Sequence, residues 1–383
     1  MRFLYSHRTR SADGQYVHIK ALTGALSARG HEIVFAGPEH NTDEKPLGVG
    51  RGGGWKTAVP KALYECAEYG YSFFARQRLD AAIGDSNPDI IYERYNLFYH
   101  AGVWAKRRSG LPLILEINAP LAEERARHGG LALKSFARKS EAVIWRAADM
   151  TLPVTNALAD YVRAAGVGED RIAVIQNGVG DEFLSPRDPS DVIERYGLAG
   201  KTVLGFAGFV RDWHRLDRVI TFIAEQNRRD LCLLLVGDGP ARPALEQLAE
   251  NLGVAAQIIV TGVIQRHEVA DHVAAVDVAL QPAATSYASP LKLFEYMALG
   301  RAILAPNQPN ISEVLSDGEN ALLFDIGDEK TFHAALARLV EDLELRARLG
   351  ESARKTLVSA NYTWDGNAAR VEQIAGRLLE GRL

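Results

Sequence analysis

The sequence predicts an α/β protein built from two doubly wound parallel sheets. Three observations carry this. The chain has 383 residues, above the roughly 100–200 of a single domain, so two domains are expected. Short apolar runs alternate with helical stretches along its whole length. The runs are Leu-rich or β-branched and lack period-2 alternation, as strands covered by helices on both faces do.

The first set of strands is expected at 2–5, 32–36, 89–92, 112–117, 150–154 and 172–175. The second is expected at 202–207, 231–236, 257–261, 276–281, 302–305 and 321–324. Between them, residues 17–29 place Val17, Leu22, Ala25 and Leu26 on one helical face, with Gly30 as the stop. Residues 216–225, 242–251, 268–275 and 330–349 also read as helices. Turn formers in SPRDPSD put the domain boundary near 183–198, giving domains at 1–183 and 199–365. The longest stretch without a pattern is 41–55, which contains GVGRGGG.

Apolar residues make up 47% and charged residues 24%, an ordinary globular balance. Two cysteines, Cys66 and Cys232, exclude a disulfide framework and a thiolate zinc cluster, and fit a cytoplasmic protein. No apolar run approaches the roughly 20 residues of a membrane span, and the N-terminus turns polar too early for a signal peptide. Residues 1–180 hold 23 Lys/Arg against 19 Asp/Glu (+4), and residues 181–383 hold 21 against 29 (−8). The positive half suggests an anionic contact, but no motif that reads nucleic acid accompanies it.

Ligands of open parallel sheets bind outside the carboxyl ends of the strands, so motifs matter most there. In SPLKLFEYMALG, Ser289 reads as an N-cap, Pro290 as the first helical residue and Gly300 as the stop. Lys292 lies in the first turn, where the helix dipole disfavours a cation, and an anion such as phosphate would explain it. Glu295 shares its face and could accept hydrogen bonds from a ribose. An ordinary core helix with a surface Lys–Glu pair is the other reading. In GFAGFVRDWHR a buried strand leaves through glycine into a loop where Arg211 could bind phosphate and His214 could donate. A solvated turn under Trp213 is the alternative.

SADGQY, with Gly14, and VGDGP follow strands and precede helices, and LEINAP sets Glu116 and Asn118 at a strand end. The literal GxGxxG at Gly48, Gly50 and Gly53 follows no strand and reads as a chance match. His267 and His272, five apart, do not match a zinc motif, and no metal site is expected.

These motifs together resemble the family-4 retaining glycosyltransferases of the GT-B fold. SPLKLFEYMALG and the following AILAPNQPNISEVLSDGENALLF look like that family's donor-binding half. GFAGFVRDWHRLDRVI resembles its phosphate loop, VGDGP, VTGVI and IQNGV fall where the family has them, and ADGQYVHIKALTGALSARGHEI looks like its first-domain glycine loop and helix. YTWDGNAARVEQI resembles its closing segment, whose last helix, 366–383 here, crosses back to the first domain.

The resemblance implies two Rossmann-like domains facing each other across a cleft and a nucleotide-diphosphate-sugar donor, with UDP favoured. Arg211 and Lys292 would bind the diphosphate, with His214 and, after Pro290, the amides at Leu291 and Lys292 beside them. Glu295 would hold the ribose, Val263 and Ile264 would read the base, and Gly14 and Gln15 would approach the sugar and phosphate. No cofactor is implied. The acceptor would be a glycan, a lipid-linked sugar or a small molecule.

Two positions depart from the family pattern. Tyr287 stands where a glutamate is common, and LEINAP replaces a stretch that carries a histidine, so Glu116 or Asn118 would serve there. With no DxD triplet, charge on the leaving phosphate would be stabilised by cations and helix amides without a metal. A non-catalytic nucleotide-sugar binder and a sugar-nucleotide epimerase on the same fold are the competing readings. Finally, RARHGGLALKSFARKSEAVIWR interleaves Lys134, Arg138, Lys139 and Arg146 with Leu131, Phe136, Val143, Ile144 and Trp145. It reads either as a helix lying peripherally on an anionic membrane or as one packed on its own domain with a solvated basic face.

Overall fold

The computed structural model describes residues 1–9, 14–38, 59–127 and 130–381. They divide into two compact units. The first comprises Met1–Gln176, Tyr287–Ser289 and Trp364–Leu383, and the second Asn177–Ser286 and Pro290–Thr363. The glycine-rich 41–55 stretch, the GxGxxG match and Ser11–Asp13 of SADGQY lie outside the described residues.

The first unit runs β1 (Arg2–Ser6), α1 (Gly14–Ala28), β2 (Glu32–Ala36), α2 (Lys61–Ser86), β3 (Ile90–Arg94), α3 (Ala101–Ser109), β4 (Leu113–Ile117), α4 (Leu121–Arg127), α5 (Lys134–Ala147), β5 (Met150–Pro153) and α6 (Asn156–Ala164). The strands form one parallel sheet in the order β2-β1-β3-β4-β5. This is a doubly wound order with its reversal between β1 and β3. Residues 172–175 do not become a strand. They follow β5 through a single bridge, Thr151 to Ile172, with Ala173 and Ile175 donating to Thr151 and Pro153. Pro153 has no N–H to return the bond, so the ladder stops.

Helix α1 buries His18, Ile19, Leu22, Thr23 and Leu26. The face is therefore rotated from the expected one, with Val17 and Ala25 only half-buried at its margin. The last helix of the chain, Trp364–Leu379, packs on it. Trp364 meets the His18 ring edge-on at 4.8 Å, and Arg29 pairs with Asp365 and Glu372. In α5 the expected apolar side faces its own domain: Ala137, Ile144 and Trp145 are buried. Among the described residues no helix is long and apolar enough to cross a membrane.

The second unit opens with two short helices, α7 (Asp181–Leu184) and α8 (Ser190–Arg195). It continues β6 (Thr202–Ala207), α9 (Asp217–Gln226), β7 (Leu231–Val236), α10 (Arg242–Asn251), β8 (Ile258–Val260), α11 (Val269–Ala274), β9 (Val278–Leu280) and α12 (Leu291–Ala298). Then follow β10 (Ala302–Asn307), α13 (Pro309–Ser312), β11 (Leu322–Asp325), α14 (Glu329–Glu341) and α15 (Leu343–Ser359), and the final helix named above is α16. The sheet order is β11-β10-β9-β6-β7-β8, all parallel. Counted from β6 this is the 3-2-1-4-5-6 order, with its switch point between β6 and β9.

The expected boundary at 183–198 falls inside this unit, because Phe183, Val192 and Leu198 belong to its core. The single helix expected at 330–349 is two. Asp342 breaks it by accepting from the Leu345 amide at 2.8 Å, which caps α15.

Candidate active site

In the second unit, the loop leaving β6 and the helix following β9 both rise from the switch point, and most of the sequence-predicted site residues meet there. The β6 loop is zipped to the loop after β7. Gly208 N–H donates to Val236 O (2.9 Å), Val210 N–H to Asp238 O (2.9 Å) and Ala241 N–H to Val210 O (3.3 Å). The crossing is close enough to require glycine: a Cβ on Gly239 would stand 2.1 Å from Val210 O, and one on Gly237 would stand 2.3 Å from Gly208 O. Gly208 (φ 128°) and Gly237 (φ 134°) also occupy backbone angles that other residues avoid.

Within this frame His214 is buried and its ring lies against the half-exposed Trp213, tilted by 41° with centroids 3.8 Å apart. The Arg211 amide donates to His214 Nδ1 at 3.2 Å, which leaves Nε2 as the protonated nitrogen of the neutral ring. Burial, reinforced by Lys292 and Arg211, pushes the imidazole pKa down to about 2. His214 therefore offers a neutral N–H donor at working pH. The Arg211 guanidinium is exposed and lies 4.8 Å from the Phe209 ring. Arg215, the other cation of the loop, turns away to Asp217 and Glu329.

Helix α12 begins at Leu291 with Pro290 in the capping place and no side-chain cap. Ser289 does not cap it, because its hydroxyl donates to Gln176 in the first unit. The Leu291 and Lys292 amides therefore stand at an uncapped helix start. Lys292 Nζ sits 3.6 Å over the Phe206 ring. A Cβ on Gly208 would stand 3.5 Å from it, an ordinary contact, so it is the backbone angle and not space for the ammonium that calls for glycine there. Burial lowers the Lys292 pKa to about 7, against the pull of Glu295.

Glu295 is buried, and its Oε1 is held by Arg266 at 2.7 Å. Arg266 in turn stacks on Phe183 at 4.9 Å. Val263 is exposed and Ile264 half-buried at the start of the same loop. Tyr296 of the motif is structural, its hydroxyl accepting from the Ala207 amide at 3.0 Å. The group thus combines two cations, a neutral N–H donor and helix amides, with a carboxylate one turn along α12. Such a set can bind a diphosphate and a vicinal diol.

The remaining predicted residues lie in the first unit. Gly14 and Gln15 open α1, both exposed, and Thr9 Oγ1 donates to Gln15 at 3.3 Å. Glu116 at the end of β4 is a buried hub. Its Oε2 accepts from Tyr92 (2.9 Å) and meets His18 Nε2 (3.0 Å), and its Oε1 takes Asn118 (2.5 Å) and Arg94. Burial alone would raise the Glu116 pKa, but His18 and Arg94 hold the carboxyl far below the usual carboxylate range. Tyr287 is buried and its hydroxyl donates to Glu124 at 2.5 Å.

Sequence reading missed His18, Arg94, Arg266 and Glu93. Glu93 is the penultimate residue of β3, where Ser6 Oγ donates to its Oε2 at 3.0 Å. Burial raises its pKa to about 8. The fold therefore keeps a proton that the unfolded chain releases at about pH 4.3, and this group costs stability as pH rises from there toward 8. Glu93→Gln is expected to stabilise the protein on the order of 1–3 kcal/mol at pH 8 and hardly at all at pH 4. Parallel denaturant titrations at the two pH values check this, and an equal effect at both would contradict it.

Two family models match the chain, Glycosyltransferase Family 4 over residues 12–183 and Glycosyl transferases group 1 over residues 192–356. The chain belongs to the family-4 glycosyltransferases. This glycosyltransferase is 27% identical to the D-inositol 3-phosphate glycosyltransferase of Xylanimonas cellulosilytica, over 98% of this chain and 94% of that one. It is 24% identical to the alpha-D-kanosaminyltransferase of Streptomyces kanamyceticus, over 70% of each. Its GT-B fold is shared with sucrose-phosphate synthase from Thermosynechococcus elongatus (TM-score 0.77, 15% identity, 100% of both chains). It is also shared with HepE of Anabaena, solved in complex with UDP-glucose (TM-score 0.73, 16% identity, 100% of both chains).

Proposed function

We propose that this glycosyltransferase moves a hexosyl or related sugar from a UDP-sugar to a hydroxyl of a glycan, lipid-linked or small-molecule acceptor, with retained configuration and without a metal. The observation that carries the reading is the grouping of His214 with the cations Lys292 and Arg211, on the loop leaving β6 and the uncapped first turn of α12. Charge grows on the leaving diphosphate as the anomeric C–O bond breaks. In this reading these groups stabilise that charge, the largest common contribution to catalysis.

The diphosphate oxygen takes the acceptor's proton while the acceptor oxygen bonds to the anomeric carbon on the same face. Glu295, its Oε1 fixed by Arg266, accepts from the ribose hydroxyls through Oε2. The backbone at Val263 and Ile264 meets the base. Glu116 has its lone pairs committed and acts as a positioning residue that holds Asn118. The preference for UDP is supported by the UDP and UDP-glucose complexes of HepE.

A thermal-shift panel of nucleoside diphosphates tests the reading. UDP is expected to raise Tm, a ligand at a hundred times its Kd adding about 2.7 kcal/mol, and Lys292→Ala to abolish the rise. No shift with any nucleoside diphosphate, or an equal shift in the variant, would remove the site. The absence of a metal requirement has its own check: sugar transfer is expected to survive EDTA unchanged. Loss of turnover restored by Mg²⁺ or Mn²⁺ would assign the charge stabilisation to a metal instead.

A further inference from the structure

We propose that Arg266 reads the donor's ribose directly, donating an N–H to the oxygen of one of the two hydroxyls whose protons Glu295 accepts. The inference rests on the donor reading of α12 and deepens it. Arg266 lies in the turn between β8 and α11, on the loop that carries Val263 and Ile264. That turn is fixed, because the Gln265 amide donates to Glu268 Oε2 at 3.0 Å and closes a capping box. The guanidinium is then held from three sides. Its Nη1 stands 2.7 Å from Glu295 Oε1, its Nη2 3.6 Å from Glu182 Oε1, and its Cζ 4.9 Å from the centroid of the buried Phe183 ring. An arginine held this way has already lost the rotamer freedom that a loose surface cation gives up on binding.

The pair is lopsided. The Glu295 side chain is 8% exposed and that of Arg266 41%. Among the described residues Arg266 is the one ion-pair partner of Glu295. A guanidinium carries five N–H groups in one plane, and those not turned to the two carboxylates meet no other acceptor among the described residues.

A carboxylate oxygen and guanidinium N–H groups therefore lie side by side, an acceptor next to donors. A vicinal diol is complementary to that set, since each hydroxyl both donates and accepts. Glu295 Oε2 takes the protons, and Arg266 donates to the hydroxyl oxygen on its own side. The guanidinium also offsets the carboxylate's charge where an anionic diphosphate ligand must approach. The competing role is a brace that ties α7 to α12 and acts on the ribose only through Glu295.

Titration calorimetry of the full chain with UDP, 2′-deoxy-UDP and 3′-deoxy-UDP separates the two. Wild type is expected to bind each deoxy analogue about tenfold more weakly than UDP. Glu295→Ala is expected to shrink both penalties. Arg266→Met, which keeps an apolar stem on Phe183, is expected to shrink one penalty and leave the other at its wild-type size. Arg266→Lys keeps a charge beside Glu295 and covers the case in which the Met variant does not fold. Its ammonium lacks the planar fork, so the same single penalty is expected to shrink. Shrinkage of both penalties alike in the Arg266 variants would make the residue a brace and overturn the proposal. So would two penalties that neither Arg266 variant alters. A wild type that binds UDP and both analogues equally would take the ribose away from Glu295 itself, and binding of no nucleoside diphosphate would remove the donor reading. Either result removes this inference together with the wider assignment.

Discussion

Lys292→Ala is expected to lower kcat/KM for the donor by about 10²–10³, the loss found when one preorganised donor to a developing anion is removed. The ammonium belongs to the first turn of α12 and rests 3.6 Å over the Phe206 ring. Truncation leaves a hole that water fills only in part. Arg211, exposed on its loop, recovers little of the charge. Glu295→Ala should act differently, raising KM about tenfold with a smaller change in kcat, because a ribose contact is equally strong in ground and transition states. Nucleoside diphosphate release under steady-state conditions measures both. Wild-type parameters in either folded variant would show that the residue does not touch the donor.

The second large effect is on stability. Glu116→Ala is expected to cost about 3–5 kcal/mol, because it strands Arg94 and His18 as buried groups without their counter-charge. Glu116→Gln should cost less, since it keeps the Tyr92 and Asn118 contacts within reach. The folded carboxyl titrates below its unfolded value. Its stabilisation is therefore complete above the unfolded pKa of about 4.3 and drains as pH falls toward the folded one. Wild type should lose stability below about pH 4 more steeply than Glu116→Gln. A denaturant midpoint for Glu116→Ala equal to that of wild type would show that the cluster contributes nothing.

The sequence carries local information well, and the comparison of expected and observed elements shows where that ends. Strands at 202–207 and 231–236 and the helix at 242–251 are legible because apolar run length and periodicity are properties of a single segment. The grouping of Lys292 with Glu295 and of Arg211 with His214 is legible because each motif is contiguous. The helix break at Asp342 was hidden because its apolar pattern continues through the cap. His18 and Arg94 were hidden because no spacing relates residues 18, 94 and 116, and only the parallel order of β3 and β4 brings Arg94 beside Glu116. Arg266 was missed for the same reason, its partner lying on a different helix. Ser289 shows the reverse error. It has the residue type of a cap, but a partner in the other segment of its unit claims the hydroxyl.

On the proposed donor site, the Lys292 ammonium, lowered to a pKa of about 7 by burial, would make donor capture a proton-linked event. In the free protein near neutrality part of the molecules would lack that proton. A diphosphate seated beside it would hold it on, drawing a fraction of a proton per site from the medium. The heat recorded in a binding calorimeter would then depend on which buffer surrenders the proton. Tris, whose ionisation absorbs much heat, and phosphate, whose ionisation absorbs little, should return different apparent enthalpies for one and the same affinity. The difference between them counts the protons.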